Sequence, residues 1–479
     1  MSAPPKEPHL PRTPDPHPAP SPRGAVGGDF TGALLRRGDA GYEKTRLDAV
    51  WNARKPDRFP EVVVVAEDER DVVLAVRLAR AEGLRVSVRS GGHSWVGNGV
   101  RDGGLLIDLS RLQGISVDPH GRTAAVQPSA KGPAIQRALA PHGLFFPTGH
   151  APTVGIGGFI LGGGYGWNSR HLGPACLSIR AIDVVLADGT QVHATDETHP
   201  DLLWAARGSG PGFFGVVTRF HLDVHERPTE IRRTVHSYPL ALRDEVLAWS
   251  YDLLERLPST VEFSAKVGFT PGLSAPAISL TATAFCTPAH GPEALAPLEE
   301  APFRDRALRA VVGEPTTIDE LYDIADRLNP EGLRWAVDGV WTEGTAEEIV
   351  GAARPVLDTI PDGTSFVLWM LWGHYPPRPE ACWSAQAKAY LSPNAGWYDP
   401  AEDLAHENWV HGSLSAVQHL SRGLQFSDNN LADRFDLGLS AENAERLERL
   451  RAVHDPDGLF RTYMTPAEST TAYAVAGRA

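Results

Sequence analysis

The chain has 479 residues, 42% apolar and 22% charged, with 45 Lys and Arg against 59 Asp and Glu, a formal charge of −14. This length exceeds what one hydrophobic core organises and predicts two or three co-folded units, while the acidic balance gives a nucleic-acid backbone no general attraction. No run approaches the roughly 18 uncharged apolar residues of a membrane span, and Cys176, Cys286 and Cys382 are too few and too far apart for a disulfide framework or a CxxC pair.

Residues 1–28 are rich in proline, have little to bury and are expected to be disordered. The absence of a signal-type apolar run there leads us to expect a cytoplasmic protein. Val62-Val63-Val64-Val65 then reads as a strand, Asp68 as a helix cap, and Val72, Ala75, Val76 and Ala79 as one helix face that Gly83 ends. A strand from Arg85 to Arg89 runs directly into Ser90-Gly91-Gly92-His93-Ser94, so a glycine turn sits at the carboxyl end of a strand, where ligands are commonly held. Further strands are expected at 104–108, 123–127, 181–186 and 216–224. Residues 29–228 thus form one alternating unit. Longer strands at 262–270, 277–285, 333–342 and 365–375, with helices at 241–256 and 345–357, predict a second unit over 229–422, a sheet with helices on one face. Lys266 reads as a residue of a solvated sheet edge, with the cavity side as the alternative. A closing segment, 423–479, holds an amphipathic helix that starts at Ser440, with Leu447, Leu450 and Val453 on one face.

The densest signal is Gly149 to Gly166, with eight glycines in eighteen residues. Backbone without Cβ atoms can lie against a large flat or anionic ligand, and the interspersed Val154, Ile156, Phe159, Ile160 and Leu161 argue against a polar linker. A GxGxxG occurs at Gly210 to Gly215, but the β-branched sequence after it offers no helix N-terminus for a pyrophosphate, which excludes a Rossmann site. There is no GxxxxGK[ST] loop and no GxSxG elbow. His406 and His411 are five apart, whereas HExxH needs four to put both rings on one helix face, so no metal site is expected. The remaining histidines read as scattered structural or surface residues. On the strand Phe366 to Tyr375, alternation places Phe366, Leu368, Met370, Trp372 and His374 on one face, which makes His374 either a candidate acid–base residue or a structural residue that ends a buried strand. Trp335, Trp341, Trp369, Trp372 and Trp383 suit either the wall of a flat, apolar substrate site or core packing.

Taken in order, Val86 to Ser94, Pro152 to Gly158 with Gly162 to Gly166, Arg207 to Gly210, Gly215 to Thr218 and His454 to Phe460 resemble the berberine bridge enzyme-like flavoproteins of the vanillyl-alcohol oxidase superfamily. The resemblance implies an α+β, two-domain, PCMH-type FAD-binding fold, in which an antiparallel sheet covered by helices forms the substrate domain. It implies covalent FAD bonded through the flavin 8α carbon to His93, and a single attachment, since Ala151 stands where many members have a second, cysteinyl link. Carried over with His93 as cofactor contacts are Arg89, Ser90, Gly91, Gly92, Ser94, Gly97, Pro152, Thr153, Val154, Gly157, Gly158, Gly162, Gly164 and Val217, with Ser90 to Ser94 as the turn that receives the pyrophosphate. Tyr165 and Gln425 are carried over as catalytic residues, and Val154 matches a position where valine accompanies reactivity with oxygen. The tyrosine that usually takes the substrate proton is replaced by Phe426, and Phe159 stands where several members have histidine. The implied function is an FAD-dependent oxidase that moves a hydride from a small-molecule substrate C–H to the flavin with molecular oxygen as acceptor, on a specialised metabolite. The alternatives are a redox-neutral flavin-assisted cyclisation or an inactive flavin-binding scaffold.

Overall fold

The computed structural model describes residues 29–361, 363–373, 375, 378–428 and 438–464, so the proline-rich segment 1–28 and His374 lie outside the described residues. Its architecture is built on three main sheets. The first runs Ala33–Arg36, Val62–Val65, Leu105–Asp108, Val86–Arg89, antiparallel at the first pair and parallel at the others. Four consecutive valines suit the strand Val62–Val65 because β-branched side chains pack well on a pleated surface. The helix Glu69–Glu82 starts where the Asp68 carboxylate accepts the Asp71 N–H and ends at Gly83, φ +65°. Its Val72, Ala75, Val76 and Ala79 pack in one core with Val62, Val64, Leu105 and Ile107.

The second sheet is antiparallel throughout, in the order Ile115–Asp118, Thr123–Val126, Val216–Asp223, Ile179–Val185, Gln191–Ala194. The GxGxxG segment forms only a 3₁₀ turn, Gly210–Gly212, before the strand Val216–Asp223. Its glycines therefore open no helix.

The third sheet has nine antiparallel strands. Its central order is Glu230–Pro239, Ala277–Cys286, Val261–Gly268, Phe366–Leu371, Ala389–Trp397. Strand alternation divides its side chains between two faces. Phe263, Ala265, Val267, Trp369 and Leu371 pack against the helices Arg243–Leu254, Ala346–Leu357 and Asp403–Val417. Glu262, Ser264, Lys266 and Leu368 take the other face, with Leu368 directly beside Lys266 and Ser392 in register.

Three expectations are corrected here. The stretch 333–342 is two strands, Arg334–Val337 and Val340–Thr342, both paired to Ala389–Trp397 and separated at Asp338-Gly339. Lys266 is no edge residue: its strand is interior, and its ammonium lies 4.2 Å from the centre of the Phe366 ring. Helix Ala441–His454 buries Leu447 and packs Leu450 against the core, but Val453 is 70% exposed because the last turn has left that core. Beyond this helix the buried Asp455 accepts the N–H groups of Leu459 and Phe460 at 2.7 and 2.9 Å, and Phe460 bridges to Val86 at the edge of the first sheet.

Candidate active site

The strand Val86–Arg89 delivers the turn Ser90 to Ser94 against the start of the short helix Ile156–Leu161. A Cβ on Gly91 would lie 2.5 Å from the Gly155 nitrogen, and one on Gly155 would lie 2.9 Å from the Gly91 Cα, so glycine at both positions lets the two turns touch. Gly92 adopts φ +74°, and the Ser90 hydroxyl accepts the Gly158 N–H at 3.3 Å. The Arg89 guanidinium is tied to Asp108 at 2.8 Å, which fixes the base of the turn.

These turns and the cavity face of the nine-stranded sheet enclose about 430 Å³. From the sheet come Phe366, Leu368, Tyr390, Ser392 and Asn394. Of the expected cofactor residues, Arg89, Ser90, Gly91, Gly92, His93, Ser94, Gly97, Pro152, Thr153, Val154, Gly157, Gly158, Gly162 and Val217 all lie on this wall. Gly164 does not: with φ +78° and Phe159 2.9 Å from where its Cβ would be, it serves the packing behind the wall. Ala151, Phe159 and Phe426 also line the cavity.

His93 is stacked on Trp51 with ring centres 4.7 Å apart, and its Nε2 is buried without a hydrogen-bond partner. Burial, with the nearby Lys131 and Arg89 charges, lowers its pKa to about 3 against a partial opposing effect of the Thr153 backbone, so the imidazole is neutral at physiological pH. A neutral ring that itself lines a glycine-rich cavity fits a partner that is part of the bound group. His93, Ser90, Gly91, Gly155, Gly157 and Gly158 are the residues that would hold such a group.

Tyr165 and Gln425 both reach the cavity. The Tyr165 hydroxyl accepts the Trp383 indole N–H at 3.0 Å and donates to the Ala385 carbonyl at 3.4 Å, and burial drives its pKa well above the ordinary phenol range. Gln425 donates through Nε2 to Asp428 Oδ2 at 3.0 Å. Phe426 packs over Gly210, where an added Cβ would meet its ring at 2.8 Å, and stacks on Tyr463. The five tryptophans are all buried and none is on the cavity wall, so core packing accounts for them, with Trp341, Trp372 and Trp383 grouped around Tyr165.

Sequence reasoning passed over three titratable groups. His150 Nε2 lies 2.8 Å from Glu262 Oε1, and Glu262 Oε2 accepts the Asn168 N–H at 3.1 Å. Burial works against the His150 cation, but the Glu262 carboxylate outweighs it, with help from Asp428, and raises the pKa above the ordinary value. Asp428 is pushed up to about 6 by burial, against the opposing pull of His150 and the Trp95 indole. His150 and Asp428 line the same cavity. The only available signal was a lone acid three residues after Gln425 and a histidine just before Ala151.

The other histidines are not all scattered. His193 and His221 both hydrogen-bond Asp183, at 2.6 and 3.0 Å, on the second sheet. Arg219 lies 3.7 Å from the same carboxylate, so its positive charge opposes a metal ion there. His406 stacks on Trp397 and bonds the Glu402 carbonyl.

The cavity, its glycine turns and the neutral histidine on its wall have the character of a site for a large cofactor. Comparison with known proteins agrees: a family model described as an FAD binding domain matches residues 60–195. The FAD-linked oxidoreductase ptmO of Penicillium ochrochloron is 31% identical over 427 residues, covering 88% of this chain and 94% of its own, and the uncharacterised FAD-linked oxidoreductase YvdP of Bacillus subtilis is 28% identical over 90% and 97%. Among solved structures, 6-hydroxy-D-nicotine oxidase of Arthrobacter nicotinovorans superposes with a TM-score of 0.79 at 22% identity, over 92% of this chain and 99% of its own. The berberine bridge enzyme-like protein 1 of Physcomitrella patens gives 0.76 at 20%, over 90% and 96%. The chain belongs to the FAD-linked oxidoreductases, with the α+β, PCMH-type fold that the motifs imply. No helix among the described residues is long and apolar enough to cross a membrane.

Proposed function

We propose that this chain is a flavin-dependent oxidase that carries its FAD on His93 and oxidises a C–H bond of a small specialised-metabolite substrate with molecular oxygen as the final acceptor. The carrying observation is His93: a neutral imidazole on a half-buried residue that lines a glycine-rich cavity. A neutral imidazole is the form able to bond carbon. Ala151, on the same wall, has no sulfur for a second bond, so attachment is single. Bound FAD supplies the redox chemistry, taking a hydride from substrate and passing two electrons to oxygen to give hydrogen peroxide.

The chain's own residues hold and orient. The Ser90 to Ser94 turn and the Gly157–Gly158 backbone cradle the cofactor, and the sheet residues Leu368, Tyr390, Ser392 and Asn394 close the opposite side. Val154, on the cavity wall, is the residue that the family resemblance associates with reactivity toward oxygen, and it supports oxygen as acceptor. The test is acid precipitation of wild type and His93→Ala, followed by oxygen uptake with a panel of benzylic and allylic alcohols. Yellow colour retained in the wild-type pellet and released from the variant is the expected result, together with peroxide formed in step with oxygen consumed. A wild-type pellet that loses its colour refutes the linkage. Turnover without oxygen uptake would shift the assignment to redox-neutral chemistry.

A further inference from the structure

The proton that a hydride transfer leaves behind needs an acceptor, and Phe426 has none to offer. Three acid–base groups from distant parts of the chain stand at or behind the same cavity wall: His150 and Asp428 line it with Phe426, and Glu262 lies 2.8 Å behind His150. His150 comes from the glycine-rich segment, Glu262 from the cavity face of the interior strand Val261–Gly268, and Asp428 from the segment that carries Gln425 and Phe426. Glu262 is 8% exposed, and its two oxygens are engaged by His150 and by the Asn168 N–H, which fixes the imidazole from behind. Trp167 closes on the ring, with centres 4.3 Å apart. Gln425 anchors one oxygen of Asp428 at 3.0 Å. The result is a carboxylate in a largely apolar cavity, set by an amide, with a carboxylate-supported imidazole as the charged neighbour that favours its ionised form.

We propose that Asp428 is the catalytic base that takes the substrate proton, and that His150, held by Glu262, is the positioning residue that keeps Asp428 ionised. The proposal rests on the flavin-oxidase reading above. In the step, the O–H bond of a substrate alcohol breaks and its proton passes to Asp428, while the oxygen electron pair forms the new C=O bond as the hydride departs to bound FAD. The proton is released when oxygen takes up the two electrons, so alcohol and oxygen give carbonyl and hydrogen peroxide. A pKa of about 6 suits the task, since an efficient base is poised close to the operating pH.

Two measurements test this on the flavin-loaded protein. An infrared titration of wild type is expected to show a buried carboxylic-acid band that disappears with a midpoint near pH 6. That band should be missing in Asp428→Asn, and its midpoint should move upward in His150→Gln, which removes the favouring cation. The second measurement is anaerobic flavin bleaching by whichever alcohol of the panel bleaches wild type fastest. Asp428→Asn should slow it roughly 100-fold or more, the range for loss of a general base, while flavin content and dithionite bleaching stay unchanged. His150→Gln should shift the acid limb of the pH profile upward. An infrared band that survives in Asp428→Asn, or bleaching at the wild-type rate in that variant, overturns the assignment of the base alone. A wild type that binds no flavin overturns the flavin reading itself.

Discussion

Gly158→Ala should raise the stability of the flavin-free protein while lowering its hold on flavin. Gly158 is an exposed residue of the helix Ile156–Leu161, and a Cβ there would meet nothing closer than the Ser90 hydroxyl at 4.0 Å. Its backbone needs no positive φ. Alanine is therefore sterically free, and the gain in helix propensity is up to about 1 kcal/mol. On the cofactor side the added methyl projects from a residue of the cavity wall, and overpacking such a contact costs about 1–3 kcal/mol, roughly a 5- to 150-fold loss of affinity. The assay pairs a thermal melt of apo-protein with a flavin titration followed by fluorescence quenching. A higher melting midpoint with weaker flavin uptake is expected. If the variant binds flavin as tightly as wild type, the glycine is not there to let the cofactor approach, and the argument from the missing Cβ fails.

Three other outcomes follow from the geometry. Asp71 is fully buried and accepts the N–H groups of Thr31, Gly32 and Glu67, so Asp71→Ala should cost about 2–4 kcal/mol; limited proteolysis should then cut ahead of Val62 first, and an unchanged digestion pattern would contradict this anchoring. Gly91→Ala, whose Cβ would meet backbone at 2.5 Å, should by contrast lower both apo-protein stability and flavin content, which a melt and the absorbance ratio of flavin to protein would register. Because His93 has a pKa of about 3, its reactive neutral form persists from pH 8 down to pH 5. Covalent flavin incorporation, followed by in-gel fluorescence, should therefore lose nothing to His93 protonation over that range. An ordinary histidine with pKa 6.5 would lose roughly 30-fold, and a decline of that size would show that His93 is not shielded.

The first unit was legible because local signals and tertiary structure agree there. The valine run, the Asp68 cap and the Gly83 stop each appear where the residues place them. The strand Ala389–Trp397 was invisible for a physical reason: Pro393, Asn394 and Gly396 are poor strand formers, and proline lacks a ladder donor. The sheet tolerates Pro393 because its side of the ladder faces the break at Asp338-Gly339, where its carbonyl still accepts the Asp338 N–H at 3.4 Å. The same break splits what reads as one strand over 333–342. At the site, the glycine turns announced themselves by composition. The grouping of His150, Glu262 and Asp428 did not, since it is made by contacts across 112 positions and more and no local pattern encodes it.

The bridge from Phe460 to Val86 has a consequence for biosynthesis. A ribosome adds about 5–20 residues each second, so the 374 positions between these two take roughly 20–75 s to synthesise. From the synthesis of Leu105–Asp108 until that of Phe460, the strand that presents the His93 turn has its parallel partner but lacks its last neighbour. The nine-stranded sheet that closes the cavity is also translated in the meantime. A chain terminated before Phe460 therefore presents the His93 turn on a strand that never gains its last neighbour.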